Sequence, residues 1–145
     1  MFGVEEKLSV AETKQINAVV LAFVGDAVYS LYVRNRMAAC YKGRPADFQR
    51  TAGSVVSAHA QSEFLDKVMP MFTEEENEIF RRARNAKKGS KSKNANVGEY
   101  NRSTGFEAVL GFLYVSGQMS RLDEIFAQAP ESFFTPTPPV TPYKP

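Results

Sequence analysis

Apolar residues recur at helical spacing almost throughout the chain, and no stretch shows the strict alternation of a strand. The longest helical stretch runs from about Lys14 to Cys40. There Ile16, Val19, Val20, Phe23, Val24, Val28, Leu31 and Val33 cover more than one face, which predicts a helix sunk in a core or pressed into a subunit interface. Lys42-Gly43-Arg44-Pro45 breaks it, and Pro45 suits the first turn of the next helix. A short helix is expected over Ala46 to Thr51, then another capped by Ser54 or Ser57 and running towards Val68. Thr73 followed by Glu74, Glu75 and Glu76 predicts a capped helix reaching about Ala86. Periodicity then lapses over a Gly/Ser/Asn/Lys-rich loop, about 88 to 102. It returns from Ser103 to about Gly117 and again from Ser120 to Gln128. The expected architecture is all-α, with a domain over residues 1–129. A tail over 130–145 holds six of the eight prolines and forms either an extension or a strap on a neighbouring subunit.

Length and composition narrow the class. The 145 residues fit one domain with one core, and no run approaches the roughly 20 apolar residues needed to span a bilayer. The opening MFGVEEKLSV lacks the apolar stretch of a secretory signal. A lone cysteine, Cys40, forms no internal disulfide and suits a reducing cytoplasm. Without a Cys/His cluster, a structural zinc site is excluded.

Charge changes the picture more. Eight basic residues (Arg81, Arg82, Arg84, Lys87, Lys88, Lys91, Lys93 and Arg102) face one acid, Glu99, so residues 81–102 carry +7 while the whole chain carries only +2. Such segregation predicts a surface for a polyanion, with a solvated lysine-rich loop as the competing explanation.

The two strongly apolar stretches are each interrupted by one acid. Asp26 sits in Phe23-Val24-Gly25-Asp26-Ala27-Val28 and Glu107 in Thr104-Gly105-Phe106-Glu107-Ala108-Val109-Leu110-Gly111. A carboxylate buried alone is costly, so it must be protonated, paired or bound to a cation. Ala22 and Ser30 lie one turn either side of Asp26, and Ser103 and Gly111 one turn either side of Glu107. Small faces of this kind let two helices approach and bring both carboxylates to one point. Hard oxygen ligands there suit magnesium, with manganese as a substitute, and a site completed by phosphate oxygens. The alternatives are an exposed position or an ion pair, Asp26 with Arg34, Arg36 or a partner helix.

Those two segments, in that order, resemble the catalytic signatures of the ribonuclease III family. The match is nearest its shortened branch, Mini-ribonuclease III, which lacks a double-stranded-RNA-binding domain. Arg82-Ala83-Arg84-Asn85-Ala86-Lys87 is similar to that branch's basic segment, and the likeness runs from about Asn17 to Leu122. The resemblance implies an all-helical homodimer whose two active sites each cut one strand of duplex RNA, leaving 5′-phosphate and 3′-hydroxyl ends. It implies Asp26 and Glu107 as catalytic, magnesium-holding residues. Its implied substrate is the duplex flanking large-subunit (23S) ribosomal RNA in its precursor, and a ribosomal protein is a candidate partner. Full-length members carry further acids where this chain has Ala22 and Thr104. The shortened branch shares this thinning, and the Thr104 hydroxyl is a candidate for holding a metal-bound water.

With no dedicated binding domain, Arg81, Arg82, Arg84, Lys87 and Lys88 are expected to contact phosphates, helped by Lys91 and Lys93, with Asn85 and Tyr100 as candidates for ribose. Binding should weaken steeply with salt. His59 reads as a surface residue rather than a base, and Phe106, Phe112 and Phe23 as core or dimer seam. Two rival readings remain: a catalytically silent RNA-binding or ribosome-associated protein on the same fold, and a helical adaptor whose acids are plain ion pairs.

Overall fold

The computed structural model describes residues 7–87 and 96–136, and among these every regular element is helical. The chain order is α1 (Val10–Thr13), α2 (Ala18–Cys40), α3 (Pro45–Val55) and α4 (Ala58–Val68), then a 3-10 turn (Met69–Met71). It continues with α5 (Glu74–Asn85), α6 (Val97–Val115), α7 (Met119–Phe126) and a second 3-10 turn (Glu131–Phe133).

Local chemistry sets most boundaries. The Thr73 hydroxyl accepts from the Glu76 amide at 3.1 Å while the Glu76 carboxylate accepts from the Thr73 amide at 3.0 Å, a reciprocal capping box. Ser57, not Ser54, caps α4. Three expectations are corrected. The first long helix starts at Ala18 rather than Lys14, because Ser9 and Glu12 close a separate four-residue α1. Helix α3 runs on to Val55. Helix α6 begins at Val97, within what reads as loop, because the Asn96 side chain accepts from the Gly98 and Glu99 amides at 2.8 and 3.2 Å.

Helix α6 is the axis of the molecule. From Ser103 to Leu113 every residue is buried except Glu107, which is half-buried, and α2, α4, α5 and α7 all pack on it. Tyr29, Phe64, Phe80, Phe106 and Phe112 are the largest fully buried side chains. Helix α2 buries Leu21, Gly25, Tyr29, Val33 and Met37 at four-residue spacing. Its opposite face stays apolar and open, with Val20, Phe23 and Leu31 exposed by 51%, 78% and 42%.

Two arginines pin the helices. Arg121 of α7 grips Glu76 through two bonds of 2.9 Å, and Glu76 is only 3% exposed. Arg82 of α5 donates to the Lys14 and Ile16 carbonyls, both at 3.1 Å, and so fixes the turn between α1 and α2.

The described start of the tail, residues 130–136, packs on the helices. Phe134 is 2% exposed and meets Tyr32 edge-on, while Glu131 accepts from Arg36 and from Tyr41. The segment therefore straps its own α2. Residues 137–145 lie outside the described residues, as do Lys88, Lys91 and Lys93.

Candidate active site

Helices α2 and α6 cross where two glycines face each other's backbone. A Cβ on Gly25 would overlap the Glu107 carbonyl oxygen, and one on Gly111 would overlap that of Leu21. Only hydrogen fits at either position, so the helices touch main chain to main chain. Asp26 follows Gly25 directly, and the crossing brings it beside Glu107, close enough for the two carboxyls to share a hydrogen bond. Spacing singles out Gly111 as a small contact residue, and the structure adds Gly25 as its counterpart.

The pair is electrostatically unequal. Burial, then the hydrogen bond with Asp26 and repulsion from its charge, push the Glu107 carboxyl up to about 8, while a bond from Gln61 pulls the other way. Burial and the Glu107 charge also hold the Tyr29 phenol above its ordinary range. Asp26 corrects the picture of two buried acids: it is exposed. It lies on the wall of a cavity of about 740 Å³, lined by Phe23, Leu31, Tyr32, Met119 and Phe126 among others. In place of the arginine pairings open to Asp26, Arg34 bonds Ser30 and Arg36 bonds Glu131.

These residues fit a divalent cation. Two carboxylates converge, and burial together with repulsion from Asp26 holds the Glu107 carboxyl above its ordinary range, a repulsion that a cation between them would relieve. Beside them the Gln61 Oε1 is buried with no hydrogen-bond partner. The carboxylates are hard oxygen donors, the kind that suits magnesium or manganese. Among the described residues no cluster of three or more His, Cys, Asp or Glu could hold a metal. The Thr104 hydroxyl donates to the Tyr100 carbonyl at 2.9 Å, which leaves its lone pair to accept.

A pH dependence follows. The unfolded Glu107 titrates near 4.5 and the folded one near 8. Between those values the folded state holds a proton that the unfolded state has lost, so the contribution of Glu107 to stability is full below pH 4.5 and drains away towards pH 8. Metal-free protein should show a falling Tm from pH 5 to 8, and a saturating divalent cation, which displaces that proton, should flatten the fall.

The basic candidates separate. Arg81, Asn85 and Lys87 are exposed at the end of α5. Arg82 is half-buried, and its guanidinium also donates to main-chain carbonyls of the α1–α2 turn. Arg84 bonds Asn85 and lies over the Phe80 ring. His59 is exposed, between Glu99 at 2.6 Å and Glu63 at 3.0 Å. Phe106 and Phe112 are core, whereas Phe23 is open. Gln61 escapes sequence reading, although its register with Phe64, Leu65 and Val68 makes it the one amide on the apolar stripe of α4.

The model of the Ribonuclease III domain matches residues 19–118. A Mini-ribonuclease 3 from Brevibacillus brevis is 45% identical over 113 residues, covering 78% of this chain and 84% of the relative. One from Enterococcus faecalis is 40% identical over 77% of this chain and 86% of its own length. The crystal structure of a Fusobacterium nucleatum protein superposes with a TM-score of 0.71 at 25% identity, over 79% of this chain and 91% of that one. With its carboxylate pair set by a glycine crossing inside the matched span, this chain belongs to the ribonuclease III family.

Proposed function

We propose that this protein is a magnesium-dependent endoribonuclease that cuts double-stranded RNA as a cytoplasmic homodimer, with precursor large-subunit ribosomal RNA as its substrate. Family membership makes it an endoribonuclease. The observation that carries the finer reading is the meeting of Asp26 and Glu107 beside the unpartnered Gln61 oxygen.

Asp26 and Glu107 would hold the cation, and magnesium, or manganese in its place, would supply Lewis acidity that acidifies water and offsets charge on the phosphate. Glu107, whose carboxyl is held above its ordinary range in the metal-free site, would have to be ionised to serve as a ligand. Thr104 offers its lone pair to a water, while Arg81 and Lys87, together with Lys88, Lys91 and Lys93 beyond the described residues, draw in the phosphate backbone. Hydrolysis leaves 5′-phosphate and 3′-hydroxyl ends. The dimer reading is supported by the open apolar face of α2. Phe23, Val20 and Leu31 are exposed there, and a second copy would cover them about a twofold axis. A ribosomal protein is a candidate helper in presenting the precursor. No described helix is long and apolar enough to cross a membrane.

Purified protein incubated with precursor ribosomal RNA and magnesium tests this reading. Discrete cleavage of duplex but not single-stranded RNA is expected, lost with a chelator and lost in Asp26→Asn while duplex binding persists. Binding without any cleavage in the wild type would favour a silent RNA-binding protein, for which the acid-free positions Ala22 and Thr104 speak.

A further inference from the structure

Gln61 is a polar side chain in an apolar position. It is 2% exposed, on the face of α4 that otherwise packs Phe64, Leu65 and Val68 against the core. Its Nε2 donates to the Val56 carbonyl at 3.0 Å and lies 3.4 Å from Glu107 Oε2, at the long end for a hydrogen bond. The Val56 carbonyl can only accept, so the amide has one sensible orientation. Exchanging its ends would set Oε1 against that carbonyl. The end left over is Oε1, buried and without a donor.

An orphaned buried acceptor costs on the order of a hydrogen bond, and a leucine or methionine would fill the same space without that cost. The amide therefore has work beyond packing. Its donor end steadies the Glu107 carboxylate, and its acceptor end shares the same confined space. A water in the hydration shell of a divalent cation is a strong donor, and ligating carboxylates are commonly oriented by a second ring of hydrogen bonds.

We infer that Gln61 is a positioning residue of the metal site, its Nε2 orienting Glu107 and its Oε1 accepting from a water carried by the bound cation. This rests on the reading of Asp26 and Glu107 as the metal-holding pair. The amide links α4 to the α2–α6 crossing, so cation binding also tightens the packing of α4.

The test uses the full-length protein without RNA, titrated with manganese by calorimetry and followed by thermal unfolding. Gln61→Leu keeps the volume and removes both polar ends. It is expected to weaken manganese binding by about 10- to 100-fold, while metal-free Tm is unchanged or raised. Gln61→Glu sets a further carboxylate beside Glu107. Its metal-free Tm should fall and its manganese-induced rise in Tm should exceed that of the wild type, a readout that stands if Gln61→Leu does not fold. Wild-type manganese affinity in a folded Gln61→Leu, or a wild-type manganese-induced rise in Gln61→Glu, overturns the inference and leaves Gln61 a packing residue. Failure of the wild type itself to bind manganese would instead sink the metal-site reading beneath it.

Discussion

Gly25→Ala should cost about 4 kcal/mol or more of folding stability, near the upper limit for a single substitution. The added methyl would overlap the Glu107 carbonyl oxygen, which belongs to a helix buried on nearly all sides and cannot retreat. Separating α2 from α6 would open voids along Leu21, Tyr29 and Phe106, all essentially inaccessible to solvent. Gly53→Ala supplies the control, since nothing lies within 4 Å of its added carbon near the end of α3. That change should stabilise by about 0.5–1 kcal/mol through helix propensity alone. Urea denaturation of both variants reads the difference. A Gly25→Ala midpoint equal to that of the wild type would mean the helices do not meet main chain to main chain.

Glu107→Gln should move stability and activity in opposite directions. Removing the acid removes a buried group whose proton is held against Asp26, so the metal-free variant should melt higher than the wild type at pH 8 and lose the decline between pH 5 and 8. Cleavage should fall by about 10³-fold, since a neutral amide does not balance the charge of the cation. Circular-dichroism melting across pH and single-turnover cleavage of duplex RNA give the two numbers. Activity within tenfold of wild type would remove Glu107 from the metal site.

What the sequence reveals depends on how local the cause is. Helix α5 is legible from Thr73 to its end because its cap, its three glutamates and its apolar stripe all lie within one short segment. Asp26 and Glu107 stand out because each interrupts an apolar run. The exposure of Asp26 is not legible, since an apolar helix face reads the same whether it meets a core or opens outward, and Phe23 shows that it opens outward. Arg81 and Arg82 are alike in composition. The 100° turn between neighbouring helical residues sends one to solvent and the other onto the Lys14 and Ile16 carbonyls. Gln61 becomes informative only once its missing partner can be seen, and that is a property of three helices together.

The strap formed by Glu131 and Phe134 has a consequence for any shortened version of this protein. Asp26 sits near the middle of α2, and the strap holds that helix about 15 Å further along, ten residues at 1.5 Å each, where Arg36 reaches Glu131. Trimming before Pro130 would spare Asp26 and Glu107 yet remove the edge contact of Phe134 on Tyr32 and slacken the far end of the rod on which the aspartate is mounted. A minimal nuclease cut from this chain should therefore keep Phe134, a residue remote from the chemistry that keeps the chemistry in register.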